Sequence, residues 1–121
     1  MRLWLVLAFS LPLTSISVAG SNQFQTPSGN IGCEYQPNMD HRLYCVRLKP
    51  RTDFIELDAS GGRTGAYEGD LWFPEGAPIL AYNTSKEFGS ITCTSLETGL
   101  ECRIGRKGFK ANQAAIQLFD Q

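Results

Sequence analysis

Apolar residues in this chain come in short groups between turn formers, and no long stretch repeats them every 3.6 residues. Such spacing is typical of short β-strands rather than helices. In the segment 42–49 the side chains alternate between two faces, and this alternation predicts a central strand. One face would carry Leu43, Cys45 and Arg47, and the other would carry Tyr44, Val46 and Leu48.

The rest of the chain predicts further short strands between regular turns. These strands are expected at 53–57, 71–73, 77–82 and 116–119, with a turn into a strand at 108–110. The glycine-rich segment 60–65 predicts a flexible loop. Asn112 is expected to cap a short helical turn that runs to Ala115. About seven to nine strands of this kind indicate an all-β fold, either a sandwich or a small barrel of antiparallel strands.

An internal repeat points to two hairpins. The pattern G-x-I-x-C followed by L-x-C occurs at 29–45 and again at 89–102. Each copy predicts a strand, a polar turn and a return strand. Four cysteines allow three pairings, and the repeat favours the one in which each pair lies across its own hairpin. The expected disulfides are therefore Cys33–Cys45 and Cys93–Cys102.

The N-terminus has the order of features found in a secretory signal peptide. Arg2 supplies a basic start, 3–13 an apolar run, and 17–19 the small residues that precede a cleavage site. An uncleaved anchor would need roughly 17 to 25 mostly apolar residues, and proline and polar residues interrupt this run too early. We therefore expect 1–19 to be a cleaved signal and 20–121 to form a single all-β domain.

Composition and cysteine content then bound the class of protein. Without the signal, about 37% of the residues are apolar, and twelve acidic residues balance ten basic ones. This indicates one small domain and excludes a polyanion binder that works by bulk charge, so no nucleic acid is expected. An even set of cysteines without C-x-x-C spacing indicates structural disulfides in an oxidising compartment. No cysteine follows the cleavage site directly, so the expected product is periplasmic or extracellular, with neither a lipid anchor nor a membrane span.

The segment Phe24–Cys33, with the sequence F-Q-T-P-S-G-N-I-G-C, resembles the opening signature of an uncharacterised family of small exported bacterial proteins. Other segments that resemble the family's landmarks are Pro78–Tyr82, Ile91–Ser95, Gly99–Cys102, Gly108–Phe109 and Leu118–Phe119. The resemblance implies export and a disulfide-stapled β domain, and it implies no activity. Members often carry a third cysteine pair, whose positions are occupied here by Ile55 and Tyr67. Their joint replacement predicts that these two side chains touch.

No set of residues indicates catalysis, a metal or a cofactor. His41 is the only histidine and falls in a predicted turn, where it is expected to be solvated. Glu56 with Asp58, and Glu68 with Asp70, are each spaced to share a strand face, and solvated strand faces are the simplest interpretation. The N-x-S sequence at Asn83 is expected to be a chance match in a bacterial protein. An enzyme is therefore not expected.

Two features are candidates for binding. The first is a basic turn after the second hairpin, formed by Arg103, Arg106, Lys107 and Lys110. Clustered positive charge there would suit an acidic partner or an anionic polymer, although a solvated turn is the simpler interpretation. The second is Trp72, which would anchor a partner if exposed but is expected to lie in the core of a chain with so few apolar residues.

These observations together favour a small exported binding or structural module without enzymatic activity. Its partner would be a protein or an envelope polymer, and its oligomeric state is open. One alternative is an inhibitor whose basic turn plugs the acidic cleft of an envelope-targeting enzyme such as lysozyme, which is an analogy rather than a motif match. Others are a passive component of the envelope and a small hydrolase, although no nucleophile, base and orienting group can be named.

Overall fold

A computed structural model describes residues 21–120, and the predicted signal 1–19 lies outside the described residues. The described part contains ten β-strands. They are β1 (Gln23–Gln25), β2 (Ile31–Gln36), β3 (Arg42–Arg47), β4 (Asp53–Asp58), β5 (Gly61–Ala66), β6 (Thr84–Phe88), β7 (Ile91–Leu96), β8 (Gly99–Ile104), β9 (Lys107–Ala111) and β10 (Ile116–Asp120). The all-β prediction is confirmed.

The strands form two antiparallel sheets of five, each a meander in chain order. The first sheet runs β1-β2-β3-β4-β5 and the second β10-β9-β8-β7-β6. Each sheet is crosslinked between the second and third of its strands in chain order. Cys33–Cys45 joins β2 to β3 in the first sheet, and Cys93–Cys102 joins β7 to β8 in the second. Both predicted pairings are confirmed. The sequence repeat thus marks the central hairpin of two similar sheets packed as a sandwich.

The core lies between the inner faces of the two sheets. Strand alternation sends every second residue inward, so Ile55 and Leu57 on β4 are fully buried. All four cysteines are 0% exposed and belong to the same cluster. At one side of the sandwich the ring of Phe88 lies 5.7 Å from Phe24 and 5.6 Å from Tyr35, and these contacts join the sheets.

The segment 60–65 was expected to be a flexible loop, and this prediction is wrong. Most of it forms β5, the edge strand of the first sheet, which packs against β9 and β10 of the second. A Cβ at Gly62 would lie 3.1 Å from Cδ2 of Leu118 and 3.5 Å from the carbonyl oxygen of Gly108. Glycine at this position therefore allows the two sheets to approach closely and does not make the segment flexible.

Strand β3 is central, as predicted, and it directs Arg47 into the sandwich. Nη2 of Arg47 lies 2.6 Å from Oδ2 of Asp53, and both side chains are buried. Nη1 also donates to the carbonyl oxygen of Asn112, which follows β9 in the second sheet, at 2.9 Å. The buried guanidinium therefore ties one sheet to the other, and pairing limits the cost of its desolvation.

The segments 71–73 and 77–82 are not strands, so that prediction is wrong. Residues 71–73 and 77–80 belong to a connection, residues 67–80, that we call the strap, which crosses the outer face of the first sheet on its way to β6. The side-chain Nε2 of Gln25 donates to the carbonyl oxygen of Pro74 at 3.2 Å. At one position, Gln25 with Ile79, the strap forms a parallel β-bridge to β1 and so partly covers this edge of the first sheet. Its prolines lack the N–H groups that a strand needs.

Two smaller expectations also change. Oδ1 of Asn112 does accept the backbone N–H groups of Ala114 and Ala115, at 2.8 and 3.0 Å, but the turn joins β9 to β10 and is not helical. Ile55 points into the core, whereas Tyr67 lies with residues on the opposite face of β4. The predicted contact between Ile55 and Tyr67 is therefore wrong.

The strap generates the first prediction. A Cβ at Gly32 would lie 2.7 Å from Cδ and Cγ of Pro74 and 2.8 Å from Cζ of Phe73. Gly32→Ala should therefore lower the free energy of unfolding by about 1–3 kcal/mol through overpacking, measured by urea denaturation. In a Pro74→Ala background the cost should shrink. An equal cost in both backgrounds would show that the strap does not lie against Gly32.

The second prediction concerns the crosslinks. Replacing both cysteines of either pair with alanine should lower the free energy of unfolding by about 2.5–3 kcal/mol. The reason is that each bridge closes a loop in the unfolded chain and so lowers the conformational entropy of that state. The sequence separations, 12 and 9 residues, predict nearly equal losses. Denaturation of the two double variants under identical conditions tests this, and a loss confined to one pair would contradict it.

Candidate functional site

The outer face of the first sheet, where the strap crosses it, carries a group of aromatic side chains. The ring of Tyr44 on β3 lies 6.3 Å from that of Phe54 on β4, and the two are nearly parallel. The ring of Trp72 on the strap lies 5.7 Å from Tyr44 at a tilt of 59°. Alternation explains why Tyr44 and Phe54 face outward, since Cys45 and Ile55 beside them face the core. We call these rings, with Tyr67, the aromatic group.

A ladder of polar side chains runs beside the aromatic group across the sheet. It links Gln23, Glu34, Gln36, Arg42, Glu56, Arg63 and Asp58 in that order through hydrogen bonds of 2.9–3.3 Å. Arg42 and Arg63 share the Glu56 carboxylate, and the Arg42 guanidinium also lies 5.3 Å from the centroid of the Tyr44 ring. The ladder orients long side chains that would otherwise be mobile.

Tyr67 holds the first part of the strap in a defined shape. Its hydroxyl donates to the backbone oxygen of Asp70 at 2.9 Å and accepts the backbone N–H of Trp72 at 2.8 Å. Between this residue and the sheet lies a shallow cavity of about 410 Å³. Its lining residues are Tyr44, Phe54, Glu56, Ala66, Tyr67 and Glu68. A second shallow cavity of about 440 Å³ lies along the strap at residues 71–75.

Trp72 was expected to lie in the core, and this expectation is wrong. It is partly buried on the outer face and is not part of the core cluster, while the neighbouring Leu71 is 59% exposed. The inner faces are already filled by aliphatic side chains, the cystines and aromatic side chains such as Phe24, Phe88 and Phe109. Trp72 therefore adds apolar surface outside the core, where a partner can reach it.

The charges of the ladder are fixed by their hydrogen bonds. The Ser60 hydroxyl, together with Arg63, lowers the pKa of Asp58 from 3.8 to about 2. The same Asp58 contact, with Glu56, raises the pKa of Arg63 above its ordinary value. Burial, with Tyr67 and Glu56 nearby, raises the pKa of the Tyr44 phenol. At neutral pH Asp58 and Arg63 are therefore ionised and Tyr44 is a neutral hydroxyl.

The predicted basic turn exists, but its side chains point in different directions. β8 and β9 are joined through Gly105 and Arg106, with Gly105 at φ 61° and Arg106 exposed at the tip. Arg103 lies on the outer face of the second sheet, paired with Glu101 and 4.2 Å from the Phe119 ring. By alternation Lys110 shares that face, whereas Lys107 is on the opposite one, beside Gly61.

The other sequence candidates are scattered. His41 is exposed in the β2–β3 turn, where its Nδ1 lies 2.9 Å from the Tyr35 hydroxyl. Glu56 and Asp58 share the outer face of β4, as predicted, and belong to the ladder. Glu68 and Asp70 lie on the strap rather than on a strand, so their expected strand face is wrong. Within residues 21–120 no three His, Cys, Asp or Glu side chains are grouped to hold a metal.

A larger cavity lies elsewhere, as a groove of about 730 Å³ among the loops at one end of the sandwich. The side chains of Asn30 and Asn112 line it, but both are already engaged in fixing the loops. Asn30 bonds the backbone of Lys49 through both amide atoms, and Nδ2 of Asn112 donates to the carbonyl oxygen of Thr98. The groove therefore offers fewer free polar groups than its lining suggests.

Comparison of the chain with protein-family models, curated proteins and solved structures finds no match. The resemblance noted in the sequence therefore stays a prediction. Across residues 21–120 there is also no helix of the length and apolar character needed to cross a membrane. The candidate site rests on its own geometry.

The ladder generates the third prediction. The side-chain carboxyl carbon of Asp58 should titrate near pH 2 by NMR, and Ser60→Ala should move the pKa toward 3.8 because the largest cause of the shift is lost. Since the folded pKa is depressed, the contact stabilises the fold fully above the ordinary value and loses that contribution as the pH falls through about 2. Titration of Asp58 near 3.8 in the unsubstituted protein would contradict the contacts of its carboxylate with Ser60 and Arg63.

Proposed function

We propose that this protein is an exported, non-enzymatic binding module whose contact surface is the aromatic group and strap on the outer face of the first sheet. The observation that carries the proposal is the position of Trp72 and Tyr44, which contact each other outside the core, with the Arg42 guanidinium over the Tyr44 ring. Tryptophan, tyrosine and arginine are the residues most enriched where binding energy concentrates in interfaces.

The surface is also held in place before any partner arrives. The Tyr67 hydroxyl forms two hydrogen bonds within the strap, and the Gln25 side chain on β1 forms another to the strap. Gly32 leaves room for Pro74 to pack against the sheet. Rings fixed in this way lose little side-chain entropy on binding, and such preorganisation favours affinity. The exposed Leu71 extends the apolar area at its edge.

Export is supported by the disulfides. Two core-facing disulfides in a small domain are typical of an oxidising compartment and uncommon in reducing ones. The periplasm or the cell exterior suits the chain best, in agreement with the signal expected at 1–19. In that setting the partner is a protein or a polymer of the envelope.

A non-enzymatic role is supported by the placement of the titratable groups. His41 contacts Tyr35 on the β2–β3 side of the first sheet, whereas the carboxylates of Glu56 and Asp58 are already committed to Arg42 and Arg63. A general base needs a free proton-accepting atom next to a nucleophile. The aromatic group provides contact area instead.

The fourth prediction separates this surface from the basic turn. The disulfide-bonded exported protein is used as bait on envelope and extracellular fractions, alongside Leu71→Gln and the double variant Arg106→Glu/Lys107→Glu. Leu71 is exposed, so its change should leave stability within about 0.5 kcal/mol. We expect a partner retained by the double variant and lost by Leu71→Gln, because an amide buried without a hydrogen-bond partner opposes binding.

Other outcomes decide between the proposals. A partner lost only by the Arg106/Lys107 variant, or lysozyme inhibition that this variant abolishes, would place the function on the basic turn. Thermal melts of all three baits exclude loss through unfolding. If none of the three baits captures a partner, the proposed binding function is wrong and the small hydrolase becomes the favoured alternative.

A further inference from the structure

We propose that the partner of this surface is a basic polypeptide segment that places an arginine side chain in the cavity between Tyr67 and the sheet. This inference rests on the proposed function and adds the chemistry of the partner. The charge expected for the partner is therefore opposite to that predicted from the sequence, where a basic turn suggested an acidic partner.

The charge of the strap favours a cation. Residues 67–77 carry three acidic side chains, Glu68, Asp70 and Glu75, and no lysine or arginine. All three are exposed, and among the described residues 21–120 their carboxylates form no ion pair. Unpaired charge of one sign around an apolar surface selects a partner of the opposite sign and speeds its association.

The walls of the cavity suit a cation as well. Three of its lining residues are aromatic, Tyr44, Phe54 and Tyr67, and Glu68 adds an unpaired carboxylate. The face of an aromatic ring attracts cations through its quadrupole, and a nearby carboxylate attracts them through its charge. The volume of about 410 Å³ is open to solvent along the strap.

Guanidinium groups already lie on aromatic rings in this protein, which is why we choose arginine over lysine. The Arg42 guanidinium lies 5.3 Å from the Tyr44 centroid while paired with Glu56. Arg103 lies 4.2 Å from the Phe119 centroid while paired with Glu101. In both, a ring and a carboxylate hold one guanidinium. The lining of the cavity at Tyr67 also combines rings with a carboxylate, that of Glu68, and includes no arginine. Arginine also stacks on rings better than lysine does.

The fifth prediction tests this with peptides of known charge. Labelled hexa-arginine, hexa-lysine and hexa-glutamate are titrated into the disulfide-bonded exported protein by fluorescence anisotropy, with the emission of Trp72 as a second signal. We expect hexa-arginine to bind, hexa-lysine to bind more weakly and hexa-glutamate not to bind. Glu68→Gln should weaken hexa-arginine binding about fivefold, the effect of about one charged contact.

A matched control separates the site from net charge. Glu87→Gln removes one exposed carboxylate from β6 in the other sheet and should leave the affinity unchanged. Phe54→Leu keeps an apolar side chain but removes a ring, and it should also weaken hexa-arginine binding. Because Glu68 is exposed, Glu68→Gln keeps the test valid even if Phe54→Leu unfolds.

Two outcomes would overturn the inference. Equal weakening by Glu68→Gln and Glu87→Gln would mean attraction to net charge alone. Absence of hexa-arginine binding, with partner capture still lost in Leu71→Gln, would leave the proposed function standing with a partner of different chemistry. Concentration-dependent self-association that Arg106→Glu abolishes would support the inference and identify the basic segment as the turn of a second copy.

Discussion

Each sheet is crosslinked at its centre by a cystine that faces the other sheet, and the shortage of apolar residues makes this the constraint on which the fold depends. The four sulfurs are fully buried among the aliphatic core residues. A domain of about 100 residues buries a limited fraction of its surface, so bridges that act on the unfolded chain add stability without adding apolar volume. Short strands and tight turns then suffice for the remaining structure.

With the core filled in this way, the remaining large apolar residues lie outside it. Trp72, Phe73 and Pro74 cover part of the outer face of the first sheet, where Val46 is fully buried although it points away from the core. The outer face of the second sheet carries residues such as Thr92, Glu101 and Arg103 instead. The two similar sheets therefore differ in their outer surfaces, and the covered one carries the aromatic group that we propose as the contact surface.

The parts of the fold that local patterns determine could be predicted from the sequence. The repeated cysteine pattern predicted both hairpins and both disulfides, and alternation along 42–49 put Arg47 on the face of Cys45 and Tyr44 on the opposite face. The strap could not be predicted, because residues 71–82 have the apolar spacing of strands and their neighbours, Gly32 and Gln25, lie some 40 to 50 residues earlier in the chain. Gly62 in β5 was misinterpreted for the same reason, because the atoms that leave little room for a side chain there belong to β9 and β10, far along the chain. Trp72 was predicted to lie in the core, and its contacts with Tyr44 and Tyr67 outside the core could not be predicted from the sequence.

Site-specific photo-crosslinking in cells that make this protein tests the central claim most directly. A photoreactive phenylalanine analogue is placed at Leu71 on the strap or at Leu118 on β10, two exposed apolar positions, 59% and 42% accessible, on opposite sheets. The proposed contact surface predicts a discrete crosslinked product from position 71 and none from position 118. A product from position 118 without one from position 71 would contradict it.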